Sequence, residues 1–386
     1  MILVWLMLGV LAGIIAGLIP GLHSNNIAVI VATSPLFGIE IVTFMLSMSI
    51  TQCFVEFIPS TFLGAPSEST FESVLPAHRM LLEGEALQAI CLTTFGALIA
   101  VITGAILTPL FFIFLEQNSE QIILATPWVL GFALIAMTLS ESGIKKKTIV
   151  IFTIIAAASQ GFLFKDQLFP LITGYFGIAG TIYSLKEKPV TIKQKTESNF
   201  ETNPIDGFIG LVGGAIVSIM PGIGSNTAAA IINFFKKTTD TKKYLTMLGA
   251  INTSNFFFSY TMLFALSKTR NGAMLALQDK IFFTPQMLTV GTAIMIASAG
   301  IGALATIILA KKAIHLFDQN KTRLFSIASI ILMVLLVGLL NGTNGLITLI
   351  FSTALGLFVI MNGVRRSTCM AALIVPVLFF YLFILF

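Results

Sequence analysis

Polar residues are scarce in this chain, and those whose types and spacing could do chemistry fall into two matching clusters. Pro20-Gly21-Leu22-His23-Ser24-Asn25 recurs 201 residues later as Pro221-Gly222-Ile223-Gly224-Ser225-Asn226. The same offset pairs Gly13 with Gly214, Ala28 with Ala229, Ile30 with Ile231 and Ile50 with Ile251. In each cluster proline removes a helical donor, and glycine admits backbone that other residues resist. Ser and Asn then supply N-caps for a helix that starts near Asn25–Asn26 or Asn226–Thr227. The first turn of such a helix has unsatisfied N–H groups and the positive end of the dipole, which suits an anion. Gly21, Ser24, Asn25, Asn26, Gly222, Ser225, Asn226 and Thr227 are therefore candidate anion-binding residues. The plainer alternative is that these residues only cap helices and permit close packing.

A second pair of polar loops adds charge. Lys268-Thr269-Arg270-Asn271-Gly272 falls at the repeat offset from Ser67–Phe71, just beyond Gly64-Ala65-Pro66. Gly64, Ser67, Lys268 and Arg270 join the candidates, since two cations near the outer surface could draw an anionic group. A solvated external loop explains them equally well. Glu56 stands alone in Cys53-Phe54-Val55-Glu56-Phe57, and an ionisable residue at membrane depth is a functional candidate by default. With His23, Asn252 and Asn255 it forms the set that could couple to Na⁺ or H⁺. Glu56 is also near enough to Pro59 to snorkel to the interface, and His23 could serve only as a structural hydrogen-bonding group.

The rest of the composition narrows the class. The 386 residues are 56% hydrophobic and 10% charged, with mean hydropathy +0.97. A soluble domain carries about 25% charged residues, so a polytopic membrane protein is the class that fits. No His–carboxylate–nucleophile set, metal cluster or phosphate loop converges, which argues against an enzyme, a metal site or a bound cofactor. Cys53, Cys91 and Cys369 lie in separate apolar runs without ligand or disulfide spacing. The net charge of +5 fits lysine-rich cytoplasmic loops better than a nucleic-acid partner.

These residues must be positioned by helices. Apolar spans read at about 38–59, 87–114, 121–140, 148–164 and 167–185, then at 244–267, 287–310, 324–341, 345–362 and 367–386. Residues 60–85 read as polar and irregular, and 186–204 as a cytoplasmic linker. The first twenty residues lack the basic start of a signal peptide and read as structure. Basic clusters at Lys145–Lys147, Lys186–Lys195, Lys236–Lys243, Lys311–Arg323 and Arg365–Arg366 all belong inside. Residues 205–235 would be about 46 Å long as one helix, too long for a core about 30 Å thick. A re-entrant hairpin with its Pro-Gly tip at membrane depth satisfies both length and charge. Backbone broken in this way survives in a membrane only when it is packed in protein or lines a cavity.

Counting crossings gives each half one hairpin and five spans, so the halves are inverted. The first repeat is 1–185 with hairpin 1–36, and the second is 205–386 with hairpin 205–235. The expected fold is an all-α polytopic membrane protein of inverted-topology repeats, about ten transmembrane helices and two re-entrant hairpins. It is multi-pass in the cell membrane with both termini extracytoplasmic. Paired broken elements of this kind point to a transporter site.

The tips, each followed by a small-residue helix, resemble the TctA family, the large membrane subunit of tripartite tricarboxylate transporters. So do Phe62-Leu63-Gly64-Ala65-Pro66-Ser67 and Met80-Leu81-Leu82-Glu83-Gly84-Glu85-Ala86-Leu87. The chain would be a short, divergent member, because typical members are longer by about a hundred residues and carry an Asn-Asn-Ala run where this chain has Asn252-Thr253-Ser254-Asn255. The resemblance implies carboxylate import driven by an ion gradient, with a small membrane subunit and an extracytoplasmic solute-binding protein as partners. The reading is therefore ion-coupled transport of a small organic anion, a di- or tricarboxylate, by alternating access with the solute held at the tips. A flippase for a lipid phosphate such as a polyprenyl phosphate, which a laterally open groove would favour, and a non-transporting scaffold stay open as alternatives. Membrane lipids, and a second copy of the chain in a homodimer, are the remaining partners considered.

Overall fold

A computed structural model describes the chain except for residues 20–21, 25–26, 29–30, 32–33, 64–73, 187–191, 198–202, 221–224, 226–227, 230–239, 268, 270, 317–318 and 386. Among the described residues all regular structure is helical. The helices of the first half are α1 (Ile2–Leu18), α2 (Ile39–Val55), α3 (Phe57–Leu63), α4 (Val74–Leu82), α5 (Ala86–Gln117), α6 (Ser119–Leu139), α7 (Ile144–Leu163) and α8 (Leu168–Ser184). Those of the second are α9 (Pro204–Ile219), α10 (Thr241–Leu266), α11 (Gly272–Leu275), α12 (Pro285–Leu316), α13 (Gln319–Met361) and α14 (Ala371–Leu385). Among the described residues seven segments are long and apolar enough to cross a membrane, and α1, α8 and α9 are shorter apolar helices. This is an all-helical polytopic membrane fold.

The helices follow the apolar runs. The expected break between 324–341 and 345–362 falls inside α13, where Gly342 takes φ +61° and divides it into two legs. Asn341 and Asn344 flank that glycine, and a positive φ at the turn is what glycine permits. The irregular reading of 60–85 is corrected at both ends. Helix α3 continues through Ser60 to Leu63, and α4 occupies Val74–Leu82. Pro76 stands in the first turn of α4, where its missing N–H breaks no intrahelical bond. The linker is tied down where it is described: the Lys195 N–H donates to the Gly84 carbonyl at 2.8 Å, and its ammonium sits 2.6 Å from Glu85.

Two glycine-lined contacts set the register of the interior. Helix α1 lies on α2 so closely that a Cβ on Gly13 would stand 2.5 Å from the Met48 carbonyl oxygen. Helix α9 lies on α10 in the same way, and a Cβ on Gly214 would stand 2.5 Å from the Ile251 oxygen. Small residues at such contacts let helix backbones approach where no hydrophobic force drives helices together. The glycines keep the 201-residue offset, but their partners do not: Ile251 takes the place of Met48, an offset of 203. The second half thus has two more residues between tip and following helix, so the pairing of Ile50 with Ile251 is corrected. Gln52 corresponds in packing to Asn255.

Each half completes the other. Helix α12 packs on α2, with the Ser298 hydroxyl donating to Ser47 Oγ at 2.9 Å. Its counterpart α5 packs on α10, where Gly96 meets Thr246 and Gly249 meets Thr93. Farther out, α14 lies on α7 at Gly161 and Ala372, while the second leg of α13 lies on α8, at Gly174 and Ser352. The result places α2 and α10 at the centre. Residues 45–63 are all buried, and so are 244–263 except the half-buried Asn255. Polar side chains there have only the protein to bond to, and among the described residues the Ser49, Thr51 and Thr261 hydroxyls have no partner.

Candidate functional site

The second tip is held by a chain of polar groups that crosses between the halves. Ser225 is buried, and its hydroxyl donates to Asn252 Oδ1 at 3.4 Å. Asn252 Nδ2 in turn donates to Glu56 Oε1 at 2.5 Å. Asn252 comes from α10, while Glu56 sits at the junction of α2 and α3, only 3% exposed. Glu56 therefore does not snorkel to the interface. Its carboxylate takes part in a buried network, where a hydrogen bond to a charged group contributes about 1.5–3 kcal/mol.

The first tip is held by one side chain from the same helix. Gln52 Oε1 accepts from the Ser24 N–H at 2.6 Å, and its Nε2 donates to the Leu22 carbonyl at 3.2 Å. One amide thus satisfies both a donor and an acceptor of the broken backbone. Ser24 is buried with its hydroxyl 3.5 Å from His23 Nδ1, and the imidazole stacks on Phe256 of α10 with centroids 5.7 Å apart. The Ser24 N–H is engaged by Gln52, and its hydroxyl faces the His23 ring. Gln52 was not among the residues singled out from sequence. Its signal was there: Gln52 and Glu56 are four residues apart in an apolar run, on one face of a helix.

The structure thus brings His23, Ser24, Glu56, Ser225 and Asn252 onto α2, α10 and the tips they hold. Asn255 follows Asn252 on α10, and its backbone N abuts Gly214. Gly21, Asn25, Asn26, Gly64, Ser67, Gly222, Asn226, Thr227, Lys268 and Arg270 lie outside the described residues. Neighbours of the last two are anchored. Thr269 Oγ1 donates to the Ser259 carbonyl of α10 at 3.3 Å, and Asn271 Oδ1 caps α11 through the Ala273 and Met274 N–H groups. Among the described residues no three His, Cys, Asp or Glu side chains gather as a metal site, and the three cysteines are buried and not joined in disulfides.

Comparison with known proteins found relatives of the whole chain. A family profile described as "Tripartite tricarboxylate transporter TctA family" matches residues 3–371. An uncharacterized protein of Methanocaldococcus jannaschii is 27% identical over 396 residues, covering 98% of this chain and 99% of that protein. No solved structure matches the chain.

Proposed function

The chain belongs to the tripartite tricarboxylate transporter TctA family, and from that premise we propose that it carries a small organic anion of the di- or tricarboxylate class across the cell membrane. Members are transporters whose systems also contain a small membrane subunit and a solute-binding protein. Movement is by alternating access through about ten crossings and two re-entrant hairpins, with both termini outside. The observation that supports this reading is the pair of clamps on α2 and α10. Each broken tip is fixed by a buried amide, and the second clamp ends on a carboxylate.

The geometry implies how coupling would work. A solute anion between the tips, met by the Ser24 and Ser225 hydroxyls and by Asn25, Asn26, Asn226 and Thr227, is repelled by an ionised Glu56. Such repulsion is strong where water is excluded. A proton or Na⁺ at Glu56 removes it, so cation and anion favour one another by the same free energy. Lys268 and Arg270 would gather the anion at the mouth, and His23 and Asn255 would flank the cation.

The test is thermal stability of the purified protein with di- and tricarboxylates, with and without Na⁺. A ligand bound to the folded state at a hundred times its Kd stabilises by about 2.7 kcal/mol. A carboxylate that stabilises more in Na⁺ or at lower pH supports the reading. Asn25→Ala and Asn226→Ala should each weaken binding with expression near normal, and unchanged binding in both would sink the tip site. One observation favours the lipid-phosphate alternative: an open apolar groove reaches Met220, beside the second tip. Stabilisation by short isoprenoid phosphates alone would select it.

A further inference from the structure

The turn that joins α6 to α7 and the turn that joins α13 to α14 lie side by side. Arg365, in the second, gives its backbone N–H to Glu141 Oε1 in the first at 3.2 Å, and its Nε stands 4.0 Å from the same oxygen. From the first turn of α7, Lys146 Nζ reaches to within 3.9 Å of the place a Cβ on Gly363 would take. Arg366 Nη1 donates to the Phe176 carbonyl at 3.4 Å, in the π-helical turn of α8. Lys145 and Lys147 flank Lys146 in the sequence.

Five cations thus gather around one carboxylate. Glu141 is only 8% exposed, and it is already engaged by Arg365. Among the described residues none supplies a carboxylate to Lys145, Lys146 or Lys147. Lys145 is exposed, and the other four cations are half-buried. Like charges this close repel one another, and the first turn of a helix is the end that disfavours cations. An anion outside the protein would relieve both.

The position of the turns says which anion is at hand. Helix α7 has 20 residues, and the second leg of α13 runs from Thr343 to Met361. At 1.5 Å per residue each is about 28–30 Å long, the thickness of the hydrocarbon core. Their ends therefore lie at the membrane boundary, and the exposed apolar side chains of Leu139, Ile144 and Met361 stand beside the cations there. We propose that the paired turns bind the headgroup phosphate of an anionic phospholipid, with Lys146 and Arg365 as its central partners and Lys145 and Lys147 around them. The acyl chains lie along the apolar side chains next to the patch. Basic pockets between transmembrane helices take headgroups in this way. One lipid on both turns ties α7 of the first half to α13 of the second, and this role does not rest on what the protein transports.

The experiment uses the full chain in vesicles of phosphatidylcholine and phosphatidylglycerol, with either lipid carrying a diazirine at the glycerol end of one acyl chain. After photolysis the labelled peptides are mapped by mass spectrometry. On 139–147 and 361–366, phosphatidylglycerol should label about tenfold more than phosphatidylcholine at low salt, which is between one and two cations at about fivefold each. The excess should vanish in 1 M salt, where the Debye length is about 3 Å. Lys145→Gln with Lys146→Gln, two changes outside the core, should remove most of it. Lys311→Gln with Lys312→Gln, which takes the same charge from two exposed positions of α12, should leave it unchanged. Equal labelling by the two lipids at low salt would overturn the proposal. So would an equal loss in the α12 variant, since net charge alone would then attract the lipid. Displacement of the label by millimolar glycerol phosphate would also overturn it, by making a soluble phosphate the ligand.

Discussion

The two tips share a sequence pattern and differ in what holds the described residues beside them. At the first, Gln52 binds the backbone on both sides of His23, so the clamp is neutral and complete in one residue. At the second, the Ser225 hydroxyl leads through Asn252 to Glu56 on the other half. That clamp is shared between halves and ends in a group that can change charge. The glycine contacts below the two tips are alike, and the groups above them differ. One tip is held by a neutral amide, and the other by a network that includes an ionisable side chain.

The comparison can be broken most forcefully at Asn252. Asn252→Ala removes a donor from the buried Glu56 carboxylate and the anchor of Ser225, and should destabilise the protein by about 2–3 kcal/mol, read as a lower melting temperature in detergent. Gln52→Ala leaves the Ser24 N–H and Leu22 carbonyl without their amide. It should destabilise by about 1–3 kcal/mol with the cation dependence of uptake retained. Gly13→Ala and Gly214→Ala test the scaffold below both clamps. Each forces helices apart and should destabilise by about 1–3 kcal/mol, and a large effect at only one glycine would deny the equivalence of the two contacts. Glu56→Gln should change stability least, under about 1.5 kcal/mol, because an amide still accepts from Asn252. Uptake in proteoliposomes should then lose its dependence on Na⁺ or pH, and an unchanged dependence would move the coupling site elsewhere.

Much of the scaffold was legible in the sequence because membrane thickness imposes length. The runs near 87–114, 121–140 and 244–267 are helices within a few residues of those bounds, and Asn341-Gly342 announced the break in α13. The site was less legible. A single offset of 201 set Gln52 opposite Thr253, while packing sets it opposite Asn255; two added residues beyond the tip hid the correspondence. Helix α4 was concealed by Pro76, His78 and Arg79, which read as loop residues in a chain otherwise so apolar. The meeting of Glu56 with Asn252 joins residues 196 apart in sequence, and no local pattern states such a contact.

The exchange of helices between halves has a consequence for how the protein is made. Helix α2 leaves the ribosome about 230 residues before α12, the helix that closes over it. At 5–20 residues per second that interval is roughly 10–50 s. For most of it, Glu56 sits in a half-built membrane domain with its partner Asn252 not yet synthesised, whereas the Leu22 and Ser24 that Gln52 binds are already made. The nascent first half must therefore wait in a provisional arrangement, sheltered by the insertion machinery or by its own helices packed another way. Biogenesis, and with it the yield of functional protein, is governed by the arrival of the last third of the chain.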